Sequence, residues 1–313
     1  MNTEKELKIQ YYSKIKSRKV DWLWYPYIPY GKITIIQGDP GEGKTSLALF
    51  LISLLSVGGV LPMEKDAIPI HNVIYQNKED SKEDTIKPRL ENYGADCEKI
   101  CFVEEGDTSL SLKDVRLEEA IKCANARVFV LDPIQAYFGG GDMTRANDTR
   151  PIMDNLCKVA ERTNCAIILV GHLNKNENGK ALYRGLGSID IAAAARSILL
   201  VSKPSEDEET QRKIVHVKSN LAPTGKALLF SLENNKLTKW KYAEYKEESA
   251  ETMLSLAEKA LRNLVGASGI AVQDAYEYMA EKGFSKRTVE RAKINIGVKS
   301  KKQGTRWLWF LEE

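Results

Sequence analysis

The chain has 313 residues, 43% of them hydrophobic and 28% charged, with a net charge of +3. This is the profile of a globular protein long enough for one large domain and a small one, and it excludes collagen-like, low-complexity and disulfide-stapled classes. The five cysteines (Cys97, Cys101, Cys123, Cys157, Cys165) lack zinc-ligand spacing. The N-terminus has no apolar signal core, and the longest apolar stretch, 47–61, is interrupted by Ser53, Ser56, Gly58 and Gly59. No membrane partner is expected, and the cytoplasm is the expected compartment.

Residues 1–20 are polar and basic and read as a mobile arm. Residues 21–31 are dense in aromatics and hold two prolines, which forbid a continuous helix. Trp22 and Trp24 are expected to pack the start of the first buried strand. Tyr30 stays open between packing and stacking on an adenine.

Residues 32–37 are an apolar, β-branched strand, and 46–55 a helix-forming run without Gly or Pro. Between them Gly38-Asp39-Pro40-Gly41-Glu42-Gly43-Lys44-Thr45 reads G-x-x-x-x-G-K-T, the Walker A pattern. The glycines let backbone N–H groups turn in around a triphosphate, and the helix N-terminus adds partial positive charge. Lys44 reaches the β and γ phosphates of ATP, Thr45 ligates Mg²⁺, and Ser46 completes the lining.

Residues 72–80 form a strand ending on Glu79-Asp80. Polar residues at such ends face the ligand crevice. Glu79 is the candidate base for an attacking water. A helix is expected over 81–93, a short strand over 100–103 and a helix over 117–125. Residues 127–133 are an apolar run capped by Asp132, the Walker B pattern, which would hold Mg²⁺ through water. Residues 139–149 read as a mobile loop and 152–163 as a helix. The strand 165–172 ends on His172, placed to sense a γ-phosphate. A second loop, 174–184, carries Lys175, Lys180 and Arg184.

Residues 184–188 lead into the segment 189–195. The strands 196–201, 213–218, 227–232 and 237–241 then close the first domain, residues 21–243, as antiparallel hairpins added to a parallel sheet. A second domain, 247–313, reads helix (252–264), helix (273–282), turn with Ser285 as N-cap, helix (286–295), then strand, basic turn, strand. That is the winged-helix plan. From 282 to 306, nine basic residues face one acid, Glu290. Lys286, Arg287, Arg291, Lys293, Lys299, Lys301, Lys302 and Arg306 are the candidate DNA contacts.

With these motifs assembled, the chain resembles the RecA-like ATPases of the RepA-type hexameric replicative helicase family. The resemblance runs from about Trp22 to Leu232, through the phosphate loop, the Glu79-Asp80 strand end, Leu131-Asp132-Pro133, Gly171-His172, Arg184-Gly185-Leu186-Gly187-Ser188 and Lys218-Ser219-Asn220. It implies an α/β fold and ATP hydrolysis, with Glu79 as base and His172 as γ-phosphate sensor. It also implies a cation reaching a neighbour's ATP, with Arg196 at the finger position and Lys218 as the second candidate. The loops 139–149 and 174–184 resemble the family's channel loops for DNA, and the implied assembly is a homo-oligomeric ring, hexameric in the family. The basic tail departs from many RepA-type proteins, although related phage and mobile-element ATPases carry a similar one. No primase signature is visible, so any primase or initiator would be a separate chain. The same motifs also serve a non-motor ATPase acting as loader, initiator or recombination mediator. A DNA-binding regulator modulated by ATP is the reading from a third class.

Overall fold

The computed structural model describes residues 9–139, 142–173, 189–204, 209–244, 253–265, 269–304 and 306–311. The chain divides into two compact units, Met1–Ala243 and Glu244–Glu313. In the first, Trp22–Trp24 (β1) and Ile28–Pro29 (β2) pair antiparallel, and Ile33–Gly38 (β3) leads through the glycine loop into Lys44–Val57 (α1). Asn72–Asn77 (β4) is followed by a π-type turn, Lys82–Ile86, that continues as Lys87–Asn92 (α2). Then come Ile100–Cys101 (β5), Arg116–Cys123 (α3), Ala126–Asp132 (β6), Ala146–Thr163 (α4) and Ala166–His172 (β7). Ile189–Ala194 (α5), Ser197–Ser202 (β8), Gln211–Ser219 (β9), Leu228–Glu233 (β10) and Lys236–Tyr242 (β11) complete the unit.

Nine strands form one sheet in the order β11-β10-β9-β8-β3-β7-β6-β4-β5. From β8 to β5 every pair is parallel, and β8 to β11 are joined antiparallel. Side-chain alternation sorts the central strands between two apolar layers. Ile168 and Val170 of β7 point to the layer filled by α1, while Ile167 and Leu169 point to the layer filled by α3, α4 and α5. Because α1 is covered on nearly all sides, its buried residues include Leu47, Ala48, Leu49, Leu51, Ile52 and Leu55 with no polar face between them. The chain crosses from β3 to β4 over β7 and β6, so the C-terminal ends of all four strands line one crevice, where open α/β sheets bind ligands.

Neither border of the sheet invites another strand. β5 is only two residues long. β11 carries exposed Lys236, Lys239 and Lys241, and its register with β10 shifts where Lys239 takes φ +55°, a bulge. The β10–β11 turn is Asn234-Asn235 with φ +50° and +57°, the left-handed pair that a two-residue hairpin requires.

The second unit orders Met253–Leu264 (α6), Ile270–Ala271 (β12), Val272–Glu281 (α7), Lys286–Ile296 (α8), Lys299–Gln303 (β13) and Arg306–Phe310 (β14). Its strands pair antiparallel in the order β12-β14-β13. Ala257, Leu261, Met279, Val289, Ala292 and Trp309 form its core. Ser285 caps α8, its hydroxyl accepting the Thr288 N–H at 3.2 Å.

One expectation is corrected and one open alternative is decided. Residues 146–149, read as loop, are the first turn of α4; Pro151 lies inside that helix, past its first turn, where the missing N–H costs one intrahelical bond. Lys299, Lys301 and Lys302 lie on strand β13. Tyr30 is not an adenine platform. It precedes β3 at the end opposite the phosphate loop, is 9% exposed, and its hydroxyl meets His71 Nε2 at 2.8 Å while the Arg127 guanidinium covers its ring at 4.2 Å. Trp24 is buried, as its packing role requires, and donates Nε1–H to Pro62 O. Among the described residues no helix is long and apolar enough to cross a membrane.

Candidate nucleotide site

The loop between β3 and α1 is shaped by two glycines that admit no substitute. A Cβ on Gly38 would lie 2.2 Å from Val201 O of β8, and Gly43 has φ +92°. Gly43 occupies the N-cap position of α1 with no side-chain cap, so the first N–H groups of a 14-residue helix are offered to an incoming anion. Lys44 is 4% exposed, and its ammonium donates to Asp39 O at 2.7 Å across the loop. Burial pulls its pKa down, and the carboxylates of Asp132, Asp39, Glu42 and Glu79 oppose that shift. Pro40 and Gly41 form the exposed tip, and Ser46 is buried behind it.

Asp132 ends β6 with 3% exposure. Burial raises its pKa, and hydrogen bonds from Thr45 and Tyr75 pull the other way. The Tyr75 hydroxyl donates to Asp132 Oδ2 at 2.9 Å. The Thr45 hydroxyl beside one buried carboxylate is a hard-oxygen donor set, which suits Mg²⁺ completed by phosphate and water oxygens.

Glu79 and His172 meet across this edge, with Nε2 3.8 Å from Oε1. Register explains the meeting: Gly38 of β3 pairs with His172, and Asn77 of β4 pairs with Asp132. Asn77 fixes the approach of Glu79. Its Oδ1 accepts the Glu79 and Asp80 N–H groups at 2.9 and 2.7 Å, and its Nδ2 donates to the Tyr75 hydroxyl at 3.3 Å. One hydrogen-bonded line therefore runs from Asp132 through Tyr75 and Asn77 to the backbone of Glu79. His172 Nδ1 is buried without a partner among the described residues, as is Gln135 Oε1 beside it, while Gln135 Nε2 approaches His172 O at 3.5 Å.

The two candidate trans cations differ. Arg196 is exposed just before β8, its backbone N–H held by Ile33 O, at the end of the sheet away from the phosphate loop. Lys218 is engaged where it stands: its ammonium donates to Ala192 O, Ala193 O and Ala195 O at 2.7, 3.1 and 2.7 Å, capping the end of α5. Its ammonium is thus already engaged within its own chain. Lys175, Lys180 and Arg184 lie outside the described residues. On the second unit, Lys286, Arg287 and Arg291 are exposed along α8 and Lys293 is half-buried, while Lys299, Lys301, Lys302 and Arg306 are exposed on the hairpin.

Sequence reading missed Tyr75, Asn77 and Arg212. Tyr75 carried a signal, since a phenol in an apolar strand needs a partner for its O–H. Arg212, on β9, is 7% exposed; its Nη1 donates to Glu209 O and Gln211 O, and its Nε lies 3.8 Å from where a Gly43 Cβ would be. Nothing local to its sequence announces that neighbour.

The family model described as an AAA domain matches residues 6–178, more than half of the chain. The chain belongs to this AAA domain family. Among curated relatives, the DNA repair protein RadA of Streptococcus pneumoniae is 28% identical over 149 residues, which are 46% of this chain and 31% of RadA. The match therefore spans under a third of that relative's length. Among solved structures, a KaiC-like protein of the archaeon Pyrococcus horikoshii superposes with a TM-score of 0.50 at 18% identity, covering 67% of this chain and 90% of that one. That likeness is one of fold: an α/β RecA-like P-loop core with antiparallel strands at its C-terminal end.

Proposed function

We propose that this AAA-family chain hydrolyses ATP and works on DNA as a ring-forming motor of the RepA-type replicative helicase kind. The observation that carries the reading is the convergence of Lys44, Thr45, Asp132, Glu79 and His172 on one sheet edge, with Glu79 and His172 3.8 Å apart. Lys44 and the α1 N-terminus hold the β and γ phosphates. Thr45 and Asp132 would hold Mg²⁺, which would neutralise charge on the phosphate oxygens. Glu79 takes the proton of the attacking water, and its half-exposed carboxylate has room for one. His172 donates to the γ-phosphate and ties its loss to the strand end. Arg196 is the cation offered to a neighbouring subunit's ATP, which makes turnover depend on assembly. The second unit reads as a winged helix, with α8 and the β13–β14 hairpin presenting basic side chains to DNA phosphates.

A second reading, an ATP-switched mediator of repair or recombination, is favoured by the sequence relation to RadA. One experiment separates them. The motor displaces a strand from a forked duplex with ATP and forms closed rings around single-stranded DNA in electron micrographs with a non-hydrolysable analogue. DNA-stimulated hydrolysis without strand displacement supports the mediator, and no hydrolysis in either condition removes both.

A further inference from the structure

The second unit carries a surface that the nucleotide site does not use. α7, α8 and the β13–β14 hairpin wall a groove of about 1120 Å³, larger than the roughly 300–1,000 Å³ of ordinary small-ligand pockets. Its floor is the Tyr276–Trp309 pair, with ring centroids 5.0 Å apart at 67°. Trp309 is 1% exposed, and the Tyr276 hydroxyl donates to the Glu290 carboxylate, so the floor is fixed. Two lysines one α8 face apart cover it: Lys286 Nζ stands 5.1 Å over the Tyr276 ring and Lys293 Nζ 4.8 Å over the Trp309 ring.

The rim differs. Trp307 lies two residues before Trp309, so both rings project from the same face of β14, yet Trp307 is 54% exposed. Antiparallel register sets Lys302 directly across from Trp307 on that face. A half-uncovered indole thus stands on the rim with Lys302 across from it, while Lys286, Lys293 and Arg306 line the groove together with Asp274, Glu277 and Glu290.

Each feature narrows the ligand. The cations call for a polyanion. The exposed flat ring calls for a π-face, which every nucleobase offers. A duplex hides its base faces inside the stack and can engage only the cations. An acidic peptide has charge but no need of an open indole. We propose that this groove binds single-stranded DNA, with a base stacked on Trp307 and neighbouring phosphates held by Lys286, Lys293 and Lys302. The proposal rests on reading the second unit as DNA-binding and adds that it takes an unpaired strand at a place distinct from the outer α8 face of Arg287 and Arg291.

The test uses the full chain without nucleotide and labelled probes of about 12 nucleotides: oligo-dT, a matched strand with abasic spacers, oligo-U and a duplex. The wild type is expected to bind oligo-dT about tenfold tighter than the abasic strand, the size of one good stacking contact. In Trp307→Leu that ratio falls to about one while duplex affinity holds, and Trp307→Tyr restores it. Arg287→Ala with Arg291→Ala is expected to weaken the duplex more than oligo-dT. A ratio unchanged in Trp307→Leu overturns the groove while the DNA reading survives on duplex binding. Equal loss on all probes in Trp307→Leu, or tighter binding of oligo-U than oligo-dT, also overturns it. No binding of any probe by the wild type overturns the DNA reading of the second unit itself.

Discussion

His172 and His216 belong to strands of the same sheet, and their surroundings differ in kind. His172 ends β7 at the phosphate edge, half-exposed, with Nδ1 lacking a partner among the described residues and Nε2 3.8 Å from Glu79. His216, on β9, is 3% exposed and saturated. Its Nδ1 accepts the Gly225 N–H at 2.9 Å, so Nε2 carries the proton and donates to Ser197 Oγ at 3.0 Å; that hydroxyl donates to Tyr27 O at 2.5 Å. His71 and Tyr30, at the N-terminal end of the parallel strands, bond each other. His216 is thus spent on the fold, whereas His172, at the C-terminal end of its strand, keeps unused valence, which is where a ligand has something to gain.

The largest break in this contrast comes at the phosphate edge. Lys44→Ala and Glu79→Gln should each lower ATP turnover by about 10²–10⁴-fold, with Glu79→Gln retaining bound nucleotide and both melting like the wild type. Wild-type turnover in Glu79→Gln removes that residue from the chemistry. Arg196→Ala should also lose turnover, and mixing it with Glu79→Gln subunits should restore part of it.

At His216 the effect is on stability. Burial lowers the His216 pKa to about 4 from the usual 6.5. The unfolded chain therefore binds a proton between those values that the folded chain refuses. Stability is full above about pH 6.5 and falls as pH drops toward 4, by about 3 kcal/mol for the whole window. Melting His216→Gln beside the wild type at pH 7 and pH 5 checks the sign: the wild type should lose more on acidification. An equal loss places the acid sensitivity elsewhere.

Tyr75→Phe tests the line joining the two roles. Removing the hydroxyl frees Asp132 and loosens Asn77, so the Mg²⁺ concentration for half-maximal hydrolysis should rise about tenfold, with the melting temperature nearly unchanged. The smallest effect belongs to Lys218→Met. Uncapping α5 should cost about 1 kcal/mol of stability and leave the turnover of the surviving folded protein intact. A turnover loss like that of Arg196→Ala would return Lys218 to the catalytic set.

The candidate nucleotide site was legible because its residues are consecutive or end a recognisable strand. Gly38 to Thr45, Glu79, Asp132 and His172 each follow an apolar run, and parallel strands bring such ends together. Tyr75 was hidden inside its strand, because its bond to Asp132 depends on the register of β4 against β6. The partners of Lys218 were hidden for a similar reason: its charge is readable, but the carbonyls of α5 that hold it lie 23 to 26 residues back.

The guarded borders of the sheet bear on how copies of this chain can join. With β5 cut to two residues and β11 bulged at Lys239 between lysines, neither border of the nine-stranded sheet offers a second copy a long flat ladder to extend. A neighbour that met the sheet at either border would have to be held there by side chains, which can let go one residue at a time.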